Sequence, residues 1–249
     1  MRSPPASFRP AQRGAALLIM LTVIVIGVAA LFASALTKAN RHIERDKLTT
    51  ASFVRAREAL IGWSLMRGAA APGRPGELPC PDTKSPGDTD SGVADLMCPD
   101  GAIGRLPWKT LGIEEPFDAS GETLWYALDG AFRTDNDGNG DPPPVDGTTT
   151  TATLRVFRAD GNPLTPAGNA AAVIFAPGVA LAGQVRNTVA QRTNAANYLD
   201  RATPTRNNAV VPNFIQGPVI DAAGTPVVND RLFFITAPEL IARVTPLMP

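Results

Sequence analysis

The chain has 249 residues, with 23 basic and 23 acidic side chains and therefore a formal net charge of zero. Balanced charge argues against a nucleic-acid partner or a strongly acidic one. The single histidine, His42, argues against histidine-based catalysis and multi-histidine metal sites, and 24 prolines with 22 glycines point to a loop-rich fold.

Residues 1–14 form a polar leader with Arg2, Arg9 and Arg13, closed by Gly14. From Ala15 to Leu36 the chain reads AALLIMLTVIVIGVAALFASAL without a charge. As a helix this segment covers about 33 Å, enough for a hydrocarbon core of about 30 Å. A transmembrane helix over 15–36 is therefore expected, with the arginine-rich leader cytoplasmic. Three readings compete for it. Ala33-Ser34-Ala35 has the form of a signal-peptidase site. A plain signal anchor is the second. The third is a class III leader, which fits a polar leader ending in glycine directly before an apolar helix.

Arg13-Gly14 followed by Ala15-Ala16-Leu17-Leu18 resembles the start of type IV prepilins and type II secretion pseudopilins. The resemblance implies cleavage after Gly14 by a prepilin peptidase and methylation of the new amino group on Ala15. It also implies other pilin or pseudopilin subunits and inner-membrane lipid as partners. Most such subunits carry glutamate at the fifth mature position, where this chain has Ile19. An apolar residue there resembles the minor subunits expected at a fibre tip.

Beyond Leu36 the sequence becomes mixed in charge, with no proline before Pro72. Ala39, Ile43, Phe53/Val54, Leu60/Ile61 and Leu65 recur at roughly helical spacing, while Glu44, Lys47, Arg55 and Glu58 occupy the rest of the surface. The spacing predicts an amphipathic continuation of the helix over 37–68, stopped near Gly68, with Gly27 and Thr49-Thr50 as points where it could bend. His42 reads as an interfacial or solvated residue.

Residues 69–249 are expected to form one extracytoplasmic α+β domain that opens with a loop-rich insert over 69–150. Cys80 and Cys98, in the related fragments LPCPD and MCPD, are expected to form a disulfide in an oxidising compartment. Without a C-x-x-C pair or a nearby histidine they do not suit a metal. LPCPD, GRLPWKTLG and GETLWYAL, with AAVIFAPG at 171–178 and NDRLFFIT at 229–236, resemble a group of uncharacterised proteobacterial prepilin-like proteins. Trp108, Trp125, Tyr126 and Phe132 are expected to pack on the second half of the helix. In the acidic run, Asp135, Asp137, Asn139, Asp141 and Asp146 follow the D-x-[DN]-x-[DN]-G pattern of a calcium loop. Asp146 stands where that loop usually has glutamate, and Pro142-Pro143-Pro144 breaks its central pairing, so an exposed acidic turn is the alternative to calcium.

Strands are expected at 151–158, where apolar and polar residues alternate, at 172–176 as an apolar central strand, and at 231–236. A hairpin is expected about Asp221–Gly224, a closing helix over 237–244 with Pro238 in its first turn, and a surface loop over 183–216. The fold class read from the sequence is α+β: a pilin-like long N-terminal helix, membrane-spanning in its first half, packed on a small antiparallel sheet. The function read with it is a non-enzymatic minor pilin- or pseudopilin-like subunit of the bacterial inner membrane, its C-terminal domain periplasmic or in an extracellular fibre. The alternative is an anchored or secreted extracytoplasmic binding module outside any fibre. No serine, cysteine or histidine constellation supports nucleophilic catalysis, and paired carboxylates occur only in the acidic run.

Overall fold

A computed structural model describes residues 13–69, 74–134, 145–146, 150–166 and 169–247; within the first helix, side chains are described at 18–31 and 43–67. The chain divides into two compact units, Met1–Lys47 and Leu48–Pro249. Helix α1 (Arg13–Ala69) contributes to both.

In the second unit, β1 (Ile103–Arg105), β2 (Trp125–Leu128), β4 (Ala170–Ala176) and β10 (Arg231–Thr236) form one antiparallel sheet in the order β1-β2-β4-β10. Every residue of β4 is buried. An interior strand covered on both faces must be apolar at every position, which is why its sequence is AAAVIFA and does not alternate. β2 and β10 flank it with Tyr126 opposite Ile174 and Phe233 opposite Ile174 in the two registers.

One face of the sheet packs on α1. Phe53, Ala56, Leu60 and Ile61 share a core with Tyr126, Leu128, Ala172, Ile174 and Ile235. The Phe53 and Phe233 rings stack with centroids 5.8 Å apart. These helix positions fall at i, i+3, i+7 and i+8, the stripe an amphipathic helix buries. Polar contacts fix the same seam: the Ser52 hydroxyl donates to the Phe117 carbonyl at 2.7 Å, and Arg57 pairs with Glu239. That glutamate lies on the closing helix α3 (Ala237–Val244), capped by the Thr236 hydroxyl, which accepts from the Glu239 amide.

The opposite face carries a second core. Trp125, Val173 and Phe175 meet Val156 of β3 (Arg155–Phe157) and Phe214 of β7 (Asn213–Ile215), with Tyr198 and Leu199. Phe175 and Phe214 meet edge to face, and Trp125 lies 5.1 Å from Tyr198. The intervening chain holds α2 (Val189–Thr193), a 3-10 turn (Ala195–Asn197), and β5 (Arg201–Thr203) paired with β6 (Arg206–Asn207). β8 (Val219–Ile220) and β9 (Pro226–Val228) form the expected hairpin, whose turn closes at Gly224 with φ +82°.

The expected fold class is corrected on two counts. Among the described residues there is one four-stranded sheet with three two-stranded ones, and β3 with β7 is parallel where an antiparallel strand was expected from 151–158. The membrane-spanning first half is also overturned: among the described residues no helix is long and apolar enough to cross a membrane. The architecture is mixed α+β, without a helix long and apolar enough to cross a membrane among the described residues.

Three smaller expectations also change. Trp125 does not pack on α1: neighbours in a strand face opposite ways, so Tyr126 joins the helix core while Trp125 joins the other, and Phe132, in the 3-10 turn after β2, is also in the helix core. Trp108 is half-buried and lies against Gly92. The segment 183–216 is not only surface loop, because Tyr198, Leu199 and Phe214 are core residues.

Leu60→Ala is expected to destabilise the second unit by about 2–5 kcal/mol, as for other buried leucines. Val54→Ala, at an exposed position of the same helix, is expected to shift stability by less than about 0.5 kcal/mol. Denaturant unfolding of the full chain, followed by tryptophan fluorescence, compares the two; equal losses would contradict the docked face.

Candidate functional site

The first unit holds the most unusual surface of the chain. Over 18–31 of α1 every described side chain is exposed, including Leu18, Ile19, Leu21, Ile24, Val25, Ile26 and Leu31. Exposure of these large apolar residues runs from 45% at Val28 to 70% at Leu31. The one polar side chain in the run, Thr22, donates its hydroxyl to the Ile19 carbonyl at 2.8 Å. Its hydrogen bond is thus met within the helix. A Cβ added at Gly27 would meet nothing within 4 Å. A helix apolar on all sides normally lies inside a larger apolar environment, and isolated soluble chains seldom leave such a patch uncovered.

The residues expected to be processed adjoin this run. Gly14 and Ala15 lie in α1, with side chains outside the described residues, and leader residues 1–12 lie wholly outside them. Ile19, standing where glutamate was expected in the resembling subunits, is 63% exposed.

Cys80 and Cys98 are joined by a disulfide with Cα atoms 5.7 Å apart. The closed loop is organised by Asp82, whose carboxylate accepts from the amides of Gly92 (2.7 Å) and Lys84 (2.9 Å). The Lys84 ammonium donates to the Val93 carbonyl and pairs with Asp95. In the chain-entropy picture a loop of this size stabilises the fold by about 3 kcal/mol.

Of the residues expected to hold calcium, Asp135, Asp137, Asn139 and Asp141 lie outside the described residues. Asp146 is described: its amide donates to the Thr150 hydroxyl at 2.7 Å, and it lines a cleft of about 890 Å³ with Asp100, Asp129 and Arg133. Asp129 is engaged by the Ala131 amide and by the amide and hydroxyl of Thr153, and Asp100 pairs with Arg133. Among the described residues no group of three or more histidine, cysteine or acidic side chains is placed to hold a metal ion.

The fold brings together two carboxyls that are thirty positions apart and were not paired in the sequence reading. Asp230 is fully buried and Asp200 nearly so. The Asp230 carboxyl accepts from the Asp200 amide (2.7 Å) and the Asn208 side chain (2.8 Å). The Asp200 carboxyl accepts from the amides of Asn229 and Asp230 and from the Gln184 side chain. Burial, and then the neighbouring Asp200 charge, push the Asp230 carboxyl well above its ordinary range. Burial also raises Asp200, against the hydrogen bonds it accepts. Reciprocal bonds between backbone and carboxyl make this pair a clamp between the turn before β5 and the turn before β10. The sequence held one signal for it, the acidic residues that stand immediately before two arginines, Asp200-Arg201 and Asp230-Arg231.

No protein-family model matches the chain, and no curated protein or solved structure matches it.

A raised aspartate has a definite sign. The folded chain keeps a proton on Asp230 that the unfolded chain releases near pH 4, so stability falls as pH rises above about 4. Asp230→Asn, which cannot ionise, is expected to flatten that slope, by up to about 1.4 kcal/mol per pH unit. Thermal or denaturant unfolding at pH 4, 5.5 and 7 measures it; parallel curves for both proteins would contradict the buried proton.

Proposed function

We propose that this chain is a non-enzymatic structural subunit that is cut after Gly14 and assembles through its apolar N-terminal helix with like helices of other subunits. The exposed apolar run 18–31 carries the reading. It has no polar face to present to water, and an added methyl group at Gly27 would meet no neighbour. Packing against similar helices removes this area from water at about 25 cal/mol per Å². The Arg13-Gly14 junction and the helix after it resemble type IV pilus and type II secretion pseudopilus subunits, which supports an assembly of that kind. Ile19, in place of the usual glutamate, favours a minor subunit. The partners are then the prepilin peptidase and the neighbouring subunits, and the disulfide-closed domain is the extracytoplasmic part. Among the described residues the buried carboxyl pair is engaged in structural hydrogen bonds, which favours a scaffold over a catalyst.

A photo-crosslinking side chain placed at Ile26 in the native cells tests the assembly. The expected product joins the chain to a second polypeptide through that partner's own apolar helix, identified by peptide sequencing. The same group at the exposed Arg55 should give no such product. Adducts at Ile26 formed with lipid alone would overturn the proposal.

A further inference from the structure

A small cavity of about 300 Å³ opens between the β1–β2 edge and the segment around α2. Its walls include Arg105 at the end of β1, Trp125 at the start of β2, and Arg186, Arg192 and Tyr198 from the long connection, with Glu122 at the rim. The backbone explains the placement. Arg105 exchanges two hydrogen bonds with Asp82 at 2.8 and 2.9 Å, an approach that Gly104 permits because a Cβ there would lie 2.6 Å from the Asp82 carbonyl oxygen. Strand pairing sets Arg105 beside Trp125, and the guanidinium lies 6.0 Å from the indole centroid.

Two residues that line this cavity each carry a buried donor with no hydrogen-bond partner among the described residues: Arg105 Nη2 and Trp125 Nε1. Arg105 is 5% exposed and Trp125 2%. The rest of the guanidinium is only partly met, since Nη1 donates to the Arg192 carbonyl at 3.1 Å and Nε is 3.9 Å from Asp82. Burial lowers the Arg105 pKa from its ordinary value, with Asp82 the largest opposing influence. A buried guanidinium with an unmet N–H is costly, as is an unmet indole N–H. The neighbouring cations are better engaged. Arg186 donates to Glu122 at 2.6 Å and to the carbonyls of Asn197 and Gly178, and its guanidinium covers the Tyr198 ring at 4.3 Å. Arg192 Nε donates to the Arg186 carbonyl at 3.2 Å.

Three arginines and one carboxylate, Glu122, line the cavity, while Asp82 lies beside Arg105 and Glu115 and Asp88 also act on it. The surroundings are therefore close to balanced in charge, and the unmet guanidinium N–H, more than a net charge, is what a ligand would answer. A single negative charge fits that balance better than a dianion. The planar fork of a guanidinium beside an indole N–H suits a planar, two-oxygen acceptor.

We propose that this cavity is a binding site for a carboxylate group, held between Arg105 Nη2 and Trp125 Nε1, with Arg192 and Tyr198 forming the wall. The carboxylate is borne either by a small free acid or by the side chain of an acidic peptide. The site lies within the second unit and is independent of the assembly proposed for the apolar helix.

The chain has three tryptophans, Trp63, Trp108 and Trp125, so ¹⁵N-indole labelling of the full chain gives three signals. Trp63→Phe and Trp108→Phe assign them. Propionate in one arm, and a capped Gly-Glu-Gly peptide in the other, are titrated in constant chloride. The expected result is a saturable shift of the Trp125 indole signal, with the other two unmoved, and at least tenfold weaker binding in Arg105→Lys. Arg192→Gln, at a less buried position, is expected to weaken binding by about threefold to tenfold, and it keeps the test valid should Arg105→Lys fail to fold. Saturation by both probes assigns a peptide-borne carboxylate, and saturation by propionate alone a free acid. No saturable shift with either probe overturns the site. So does sulfate binding as tightly as propionate, or an unchanged affinity in both arginine variants.

Discussion

The second unit depends on one packing arrangement, the seating of Phe53, Ala56, Leu60 and Ile61 on the face of β4 and its neighbours. A four-stranded sheet exposes apolar area on both faces, and a strand as uniformly apolar as β4 folds stably only if both are covered. The helix covers one face. The other is closed by a patchwork of β3, β7 and the segment around Tyr198, none of which forms a large sheet of its own. This division explains the composition. The helix side is built from regular periodicity, whereas the far side is assembled from short strands and turns rich in proline, asparagine and glycine. There, side-chain hydrogen bonds such as those of Asn208 to Ile215 and Asp230 replace long ladders.

What was legible in the sequence follows from that difference. β4, β10, the β8–β9 hairpin and α3 stand where periodicity and turn chemistry place them, because each is specified locally: an apolar run, a turn glycine, and a proline near the helix start. The disulfide was legible because only two cysteines exist and both lie in one segment. The far side was not. Phe214 and Tyr198 are single large residues in polar surroundings, and nothing in a window around either shows that it meets Phe175 or Trp125. The parallel pairing of β3 with β7 joins segments separated by the whole of β4–β6, a non-local contact that alternation cannot reveal. The membrane span was read from 15–36 as an uncharged sequence, whereas among the described residues no helix is long and apolar enough to cross a membrane.

The candidate sites show the same contrast. The exposed apolar run is a property of consecutive residues and stands out in the sequence itself. The Asp200–Asp230 clamp and the Arg105–Trp125 cavity are products of folding: their members come from different strands and turns, and only burial gives them their character. Acidic or basic side chains scattered through a chain of zero net charge are not informative until the fold withdraws some of them from water. The assembly proposed for the apolar helix and the ligand site proposed for the arginine cavity therefore rest on separate parts of the chain.

The subunit account rests on removal of the leader immediately before the apolar helix, and the mass of the native N-terminus tests it most directly. The account predicts a mature chain that begins at Ala15 and carries one additional methyl group on its amino terminus. A chain retaining residues 1–14, or one beginning at Leu36, would contradict it.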